Sequence, residues 1–397
     1  MGGAFNLFFK MTKKIAIICF TDYTREPRVL RTIETLKDMF EIDIYSTGAG
    51  NYELDISKYN YDRVASARGS FLSNKIRAVI AMITNSRFPS PNFFKKQYWS
   101  KGRKELFDLL DQKKYNLVIG HGIYTVPILA ELNSAKTVFN AHEYYPGEFE
   151  ENELWKKYTQ PFYNFILTEY LNKVDLMFCV SQNISNEYMK NYNIRSVEFT
   201  NATDLKNLVP SEVDQKNIKI VHHGAAIRTR KIEVMIETVL LLGAHYSLHL
   251  LLVDTDVNYL EELKAKYSHH TNVFFHTPVA VSEIGEEINK YDIGIFILPP
   301  VNFNWINALP NKLFEYIQGR LAIAVSPNSD MKRVVEKYDL GIVAKDYSAE
   351  SMAQKISELT IIDIERYKLN AHKNAKELSA ETNKKMIIQN INELVLN

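Results

Sequence analysis

Continuous apolar runs of strand length alternate with amphipathic helical stretches along this chain, and the alternation breaks only once. Residues 14–20 (KIAIICF) form an almost wholly apolar run, the pattern of a strand covered on both faces. Pro27 opens a helix expected to reach about Met39, with Val29, Leu30, Ile33 and Leu36 at helical spacing. Further strands are expected at 42–45, 117–120, 137–140, 176–180 and 196–199, with helices between them. Such alternation requires a parallel sheet with helices on both faces.

The break falls at residues 200–217 (TNATDLKNLVPSEVDQKN), which are polar, contain Pro210 and show no sustained period; they are expected to link two domains. Alternation resumes with strands at 218–222, 248–253, 273–275, 293–298 and 321–325 and a helix at about 231–242, and residues 363–397 are helical in character. A chain of 397 residues exceeds one ordinary core. The expected fold class is α/β, with two Rossmann-like doubly wound domains facing across a cleft. Ligands in such sheets bind beyond the carboxyl ends of the strands, so both sets of loops would surround one cleft.

Composition excludes several alternatives. A net charge of +1 gives no bulk attraction for nucleic acid. Cys19 and Cys179 each sit in an apolar run, which suits buried thiols in a reducing, cytoplasmic setting. No run of 18 apolar residues is present, so no membrane-spanning helix is expected. The patch Phe5, Leu7, Phe8 and Phe9 is too short for a signal segment and is expected to extend the chain before the first strand. Asp254-Thr-Asp256 suits a turn after a strand, and Gly48-Ala-Gly50 lacks a third glycine and a distal acid. No metal is called for.

The strongest local signal is the segment 307–319 (NALPNKLFEYIQG). Pro310 suits the first turn of a helix that ends at Gly319, and free N–H groups at its start form a phosphate site. Glu315 lies one turn in, placed to accept hydrogen bonds from a ribose diol; an exposed glutamate on an ordinary helix is an equal reading. A second signal is 222–231 (HHGAAIRTRK), where Gly224 permits close backbone approach and Arg228, Arg230 and Lys231 gather positive charge. Alone, this is better explained by a solvated basic turn capped by a helix.

The PNKLFEY segment, with 319–326 (GRLAIAVS) and 333–341 (RVVEKYDLG) after it, resembles the retaining glycosyltransferases of family 4, which have the GT-B fold. The resemblance covers nearly the whole chain and is densest from about 218 to 345. It implies that Asn307, Pro310, Asn311, Lys312, Leu313 and Glu315 hold the diphosphate and ribose of a nucleotide sugar. Many members carry a glutamate pair spaced E-x7-E; the first position here is Asn307 and the second Glu315, and the PNKLFEY subgroup often lacks the first. The resemblance also implies that Arg230 and Lys231, with Arg228 as the weaker candidate, stabilise the departing β-phosphate. Such charge acts more strongly on the transition state than on the ground state.

Further matches fill out the cleft. Residues 139–146 (FNAHEYYP) resemble the family's AHE turn, which implies that His142 contacts the donor sugar, with Glu143 beside it and His121 of Gly120-His121-Gly122 nearby. Residues 21–28 (TDYTREPR) resemble the family's D-x-R-V-x-R opening, placing Arg25 and Arg28 on the acceptor side. The loop 275–278 (FHTP) matches the one whose backbone holds the nucleobase, hence Thr277 and Val279.

The expected organisation is 1–205, an acceptor domain; 206–375, a nucleotide-sugar domain; and 376–397, a C-terminal helix crossing back. The expected activity is transfer of a hexosyl-type group from a nucleotide diphosphate sugar to a hydroxyl of a glycan or lipid-linked acceptor, with retention, without metal or other cofactor. A sugar-nucleotide epimerase of GT-B fold and a non-catalytic carbohydrate-binding subunit are the rivals. Residues 66–104 hold nine Lys or Arg, no Asp or Glu, and interleaved aromatics including Phe93, Phe94, Tyr98 and Trp99. That pattern suits peripheral binding to an anionic membrane, and equally an acceptor-binding region or a solvated helix pair.

Overall fold

The apolar runs become the inner strands of two parallel sheets. The computed structural model describes residues 13–48, 60–63 and 90–396. In the first domain, β1 (Lys14–Asp22), β2 (Glu41–Gly48), β3 (Asn60–Arg63), β4 (Leu117–His121), β5 (Lys136–Asn140), β6 (Leu176–Cys179) and β7 (Val197–Glu198) lie in the order β3-β2-β1-β4-β5-β6-β7. Each face of this sheet has its own core. Ala16, Ile18, Val118 and Phe139 pack on one side, and Ile15, Ile17, Leu117, Ile119 and Val138 on the other. This double burial is why 14–20 reads as an unbroken apolar run. Cys19 and Cys179 are buried free thiols.

In the second domain, β8 (Ile218–Ala226), β9 (Tyr246–Asp254), β10 (Val273–His276), β11 (Ile293–Phe296), β12 (Ala322–Val325) and β13 (Gly341–Val343) lie in the order β10-β9-β8-β11-β12-β13. Both sheets thus form α/β doubly wound units of Rossmann type. The edge strands β3 and β13 are additions to the sequence reading. Gly294 of β11 lets the helix Asn311–Gln318 close on the sheet: a Cβ there would stand 2.4 Å from the Tyr316 ring. Tyr316 Oη then donates to Ile295 O at 2.9 Å.

The linker is irregular but pinned. Arg320, 2% exposed, donates to Lys206 O and Leu208 O, and Asn201 Nδ2 donates to Leu309 O. The helical tail divides in two. Ile361–Asn374 stays with the second domain, where Lys368 Nζ meets Asp292 Oδ1 at 3.2 Å in a buried pair. The chain then passes Ala380, whose N–H bonds Thr203 O, and the helix Ala380–Leu396 lies against the first domain. Its Ile387 and Ile391 are buried with Val29, Ile33 and Leu36.

The N-terminal patch 1–10, Gly50 and residues 66–89 of the basic aromatic stretch lie outside the described residues. In the described remainder of that stretch, Phe94 and Tyr98 are buried in the first-domain core, so they serve packing and not a membrane surface. No helix among the described residues is long and apolar enough to cross a membrane.

Ile391 is fully buried, so Ile391→Ala is expected to cost about 3 kcal/mol. Chemical denaturation followed by a first-domain tryptophan such as Trp99 reads this; an unchanged midpoint contradicts the docking of the last helix on that domain.

Candidate active site

β8 runs four residues beyond its expected end at His222, and this carries His222, His223 and Gly224 up to the cleft. Their side chains alternate across the sheet. His222 stacks on Phe296 with centroids 5.7 Å apart, and its Nδ1 meets Ile295 O at 3.0 Å. His223 faces the helix Asn311–Gln318, edge-on to Tyr316, with its Nε2 3.4 Å from Glu315 Oε2. Gly224 adopts φ +113°, a region costly for other residues. A Cβ there would fall 2.6 Å from Lys312 Nζ, so the bare backbone leaves room for the ammonium.

Lys312 and Glu315 lie three residues apart on the same helix face. Pro310 takes the N-cap position, a residue earlier than the sequence suggested, and no side chain caps the helix start. The first-turn N–H groups and the positive end of the dipole therefore point at the cleft. Burial and the nearby Arg230 push the Lys312 ammonium down to about 8, against an opposing pull from Glu315. Burial raises the Glu315 carboxyl, while Lys312 and Arg31 draw it back. Burial also pushes His223 down to about 3, aided by Lys312, so it is neutral at physiological pH. Two crowded, partly desolvated cations beside an uncapped helix start form a site for an anion.

Across the cleft, the ends of β4 and β5 carry His121 and His142. His121 Nδ1 and His142 Nε2 share one hydrogen bond of 3.1 Å, whose donor depends on tautomer. Burial pushes His142 down to about 3, and Arg28 and Arg31 add to the shift. Neutral imidazoles of this kind donate or accept at sugar hydroxyls. Beside them, burial and repulsion from Glu148 push Glu143 up to about 8. Burial raises the Glu148 carboxyl as well.

The structure brings Gly224, Arg230, Lys312 and Glu315 together, and His121 with His142. It relocates several other candidates. Arg228 is exposed; its guanidinium forks onto Glu262 at 2.6 and 2.9 Å and lies over the Tyr259 ring. That engagement takes it away from the expected donor contact. Asp256 accepts from the Arg228 N–H, the turn role expected of that residue. Lys231 is exposed, with a left-handed φ of 50° at the start of the helix Ile232–Leu242, and Lys312 is the ammonium that meets Gly224. Asn307 caps the short helix Phe303–Ile306 through Nδ2 to Phe303 O at 2.9 Å, which gives it a structural task instead of a phosphate contact. Arg28 is 6% exposed and ties Asn140 Oδ1, Phe199 O and Asn201 Oδ1 together, so it braces the strand ends and does not stand open to an acceptor. Arg25 is exposed near Asp22. Leu313 is buried; Thr277 is exposed and Val279 half-buried beyond β10.

Two features escaped the sequence reading. Arg31 reaches across the cleft to Asn311 Oδ1 at 3.3 Å; it is the last arginine of the pattern that singled out Arg28. The loop Asn302–Asn307 is an interdomain contact. Asn304 exchanges two hydrogen bonds with the Tyr144 backbone, Phe303 N–H donates to Glu150, and the Phe303 and Tyr144 rings lie 5.1 Å apart.

Two facing Rossmann-like domains with strand-end loops around one cleft constitute the GT-B architecture. Residues 205–378, most of the second domain, match the family model of the glycosyl transferases group 1. No curated protein matches the chain. Among solved structures, Anabaena Alr3699/HepE in complex with UDP is similar at a TM-score of 0.70 and 12% identity, covering 96% of this chain and 100% of that one. A glycosyltransferase from Rickettsia africae ESF-5 is similar at 0.65 and 16% identity, covering 97% and 99%. WaaG, a glycosyltransferase involved in lipopolysaccharide biosynthesis, is similar at 0.64 and 10% identity, covering 94% and 98%. At such identities these likenesses establish the fold.

Burial and the neighbouring Glu148 thus push the Glu143 carboxyl up to about 8 in the folded protein, from an ordinary 4.5. A raised carboxyl value favours the folded state fully only below the unfolded value, and the benefit is lost as pH climbs through the folded one. The melting temperature is therefore expected to fall between about pH 5 and about pH 8, and to fall less in Glu143→Gln. Equal slopes in both proteins contradict the raised Glu143 carboxyl.

Proposed function

We propose that the protein transfers a sugar, with retention of anomeric configuration, from a nucleotide diphosphate sugar to a hydroxyl of a growing bacterial surface glycan or lipid-linked acceptor. One observation carries the reading: Lys312, at an uncapped helix start and within the electrostatic reach of Arg230 and Glu315, lies over the bare backbone of Gly224. The diphosphate lies on the helix start between Lys312 and Arg230. Glu315 accepts hydrogen bonds from the ribose. His142, neutral and backed by His121, meets the sugar hydroxyls. The UDP in the complex of the similar Anabaena protein supports a nucleotide donor, and the lipopolysaccharide role of WaaG supports a surface-glycan acceptor.

As the glycosidic bond lengthens, the sugar gains oxocarbenium character and the β-phosphate gains negative charge. The two cations and the helix dipole stabilise that charge where it develops, without solvent reorganisation. A phosphate oxygen of the donor takes the acceptor proton on the same face, so the route needs no protein base and no metal. The interdomain contact through Asn304 and Phe303 keeps water from the reacting carbon, which limits donor hydrolysis. The reaction belongs to the cytoplasm or the inner face of the membrane, where nucleotide sugars are supplied.

A thermal-shift screen against UDP, GDP, dTDP and CDP sugars, followed by mass analysis of products, identifies the donor. Donor isomerised without release of nucleotide points to an epimerase instead, and binding without turnover against a broad acceptor panel to a non-catalytic subunit. Replacing both Arg230 and Lys312 by Ala is expected to lower kcat/KM by at least ~100-fold. Near-normal kinetics in that double variant place the diphosphate elsewhere.

A further inference from the structure

Arg31 is on the first domain, in the helix Pro27–Leu36, yet its guanidinium ends at the phosphate helix of the second. Nη2 donates to Asn311 Oδ1 at 3.3 Å, and Nη1 to Asn201 Oδ1 at 3.3 Å. Asn201 in turn accepts from Arg28 Nη1 at 3.1 Å and donates to Leu309 O, so one amide organises both arginines and the approach to the helix start. Arg28 is buried and Arg31 half-buried, and the side-chain hydrogen bonds of both guanidiniums among the described residues run to amide and carbonyl oxygens, with no carboxylate ion pair. Arg28 Nε is buried with no partner at all. Across the cleft, His223 Nε2 is likewise buried and makes no hydrogen bond, although Glu315 Oε2 stands 3.4 Å away.

A cation held partly out of water ordinarily has its charge matched. Here Arg31 meets only neutral amides, and Glu315 and Asp204 act on it from a distance. Its acceptor, Asn311, is the first residue of the uncapped helix. An anion bound on that helix start would lie within reach of the guanidinium once the Asn311 amide turns aside.

We propose that Arg31 is a donor-binding residue supplied by the opposite domain, placing its guanidinium on the pyrophosphate held by Lys312 and Arg230. This rests on the phosphate-site reading above. It adds that the site is complete only when the domains are apposed, because one of its cations arrives from the first domain. Arg28 is a positioning residue, holding Asn201, which aims Arg31.

Inorganic pyrophosphate is a probe that needs no knowledge of the nucleobase. Its affinity is measured by calorimetry for the wild type, Lys312→Ala, Arg31→Ala and Arg31→Gln, and repeated with UDP, GDP, dTDP and CDP. The glutamine variant keeps a donor for Asn311 and removes the charge, so a merely structural arginine would be spared by it. Both Arg31 variants are expected to weaken pyrophosphate and the preferred nucleoside diphosphate about tenfold while leaving the parent nucleoside unchanged. Weakening by Lys312→Ala but not by Arg31→Gln overturns the proposal and leaves the phosphate site standing. Failure of the wild type to bind pyrophosphate or any of the four nucleotides overturns both. Should Arg31→Ala not fold, the glutamine variant alone decides.

Discussion

A lysine ammonium pressed against a glycine backbone is the constraint around which the second domain is arranged. For Lys312 to sit over Gly224, β8 must continue past His222, and Gly224 must take a positive φ. The helix Asn311–Gln318 must also lie close on β11, which the missing side chain at Gly294 allows. Those requirements in turn place Glu315 over His223 and leave the helix start uncapped. Charge is thereby concentrated where the protein offers it little compensation. The arrangement lowers the stability of the unliganded domain and favours whatever anion relieves it.

The same economy appears in the first domain. Arg28 Nε and His121 Nε2 are buried polar atoms without partners, and they stand near the ends of β1, β4 and β5. Folded proteins leave few such groups, and those that persist gather at functional sites. His223 Nε2, on the facing wall, is a third atom of this kind.

The architecture was legible because both faces of each sheet are covered, so the inner strands announce themselves as unbroken apolar runs. What the pattern missed were the edges. Asn60–Arg63 is polar, and Gly341–Val343 is three residues long; neither carries an apolar run. The extension of β8 through Gly224 and two alanines had no strand signature. At the site, Lys312 and Glu315 were legible from the PNKLFEY segment, and Gly224 from its lack of a side chain. The sequence also shows that 228–231 is basic but not which cation turns inward. That depends on Glu262, which is 34 residues away in the chain and captures Arg228. The burial of Arg28, the reach of Arg31 and the Asn304–Tyr144 exchange all join residues more than 100 positions apart. No local period encodes such contacts.

The return of the last helix to the first domain has a mechanical consequence. A single linker would leave the two halves free to swing and twist about a point. Because the chain crosses between them twice, near 200–217 and again near Ala380, the crossings define a line, in the way that a second hinge confines a door to one arc. Relative movement is then reduced largely to opening and shutting along that arc. Each closure brings the same atoms face to face, and little entropy is spent in finding the register.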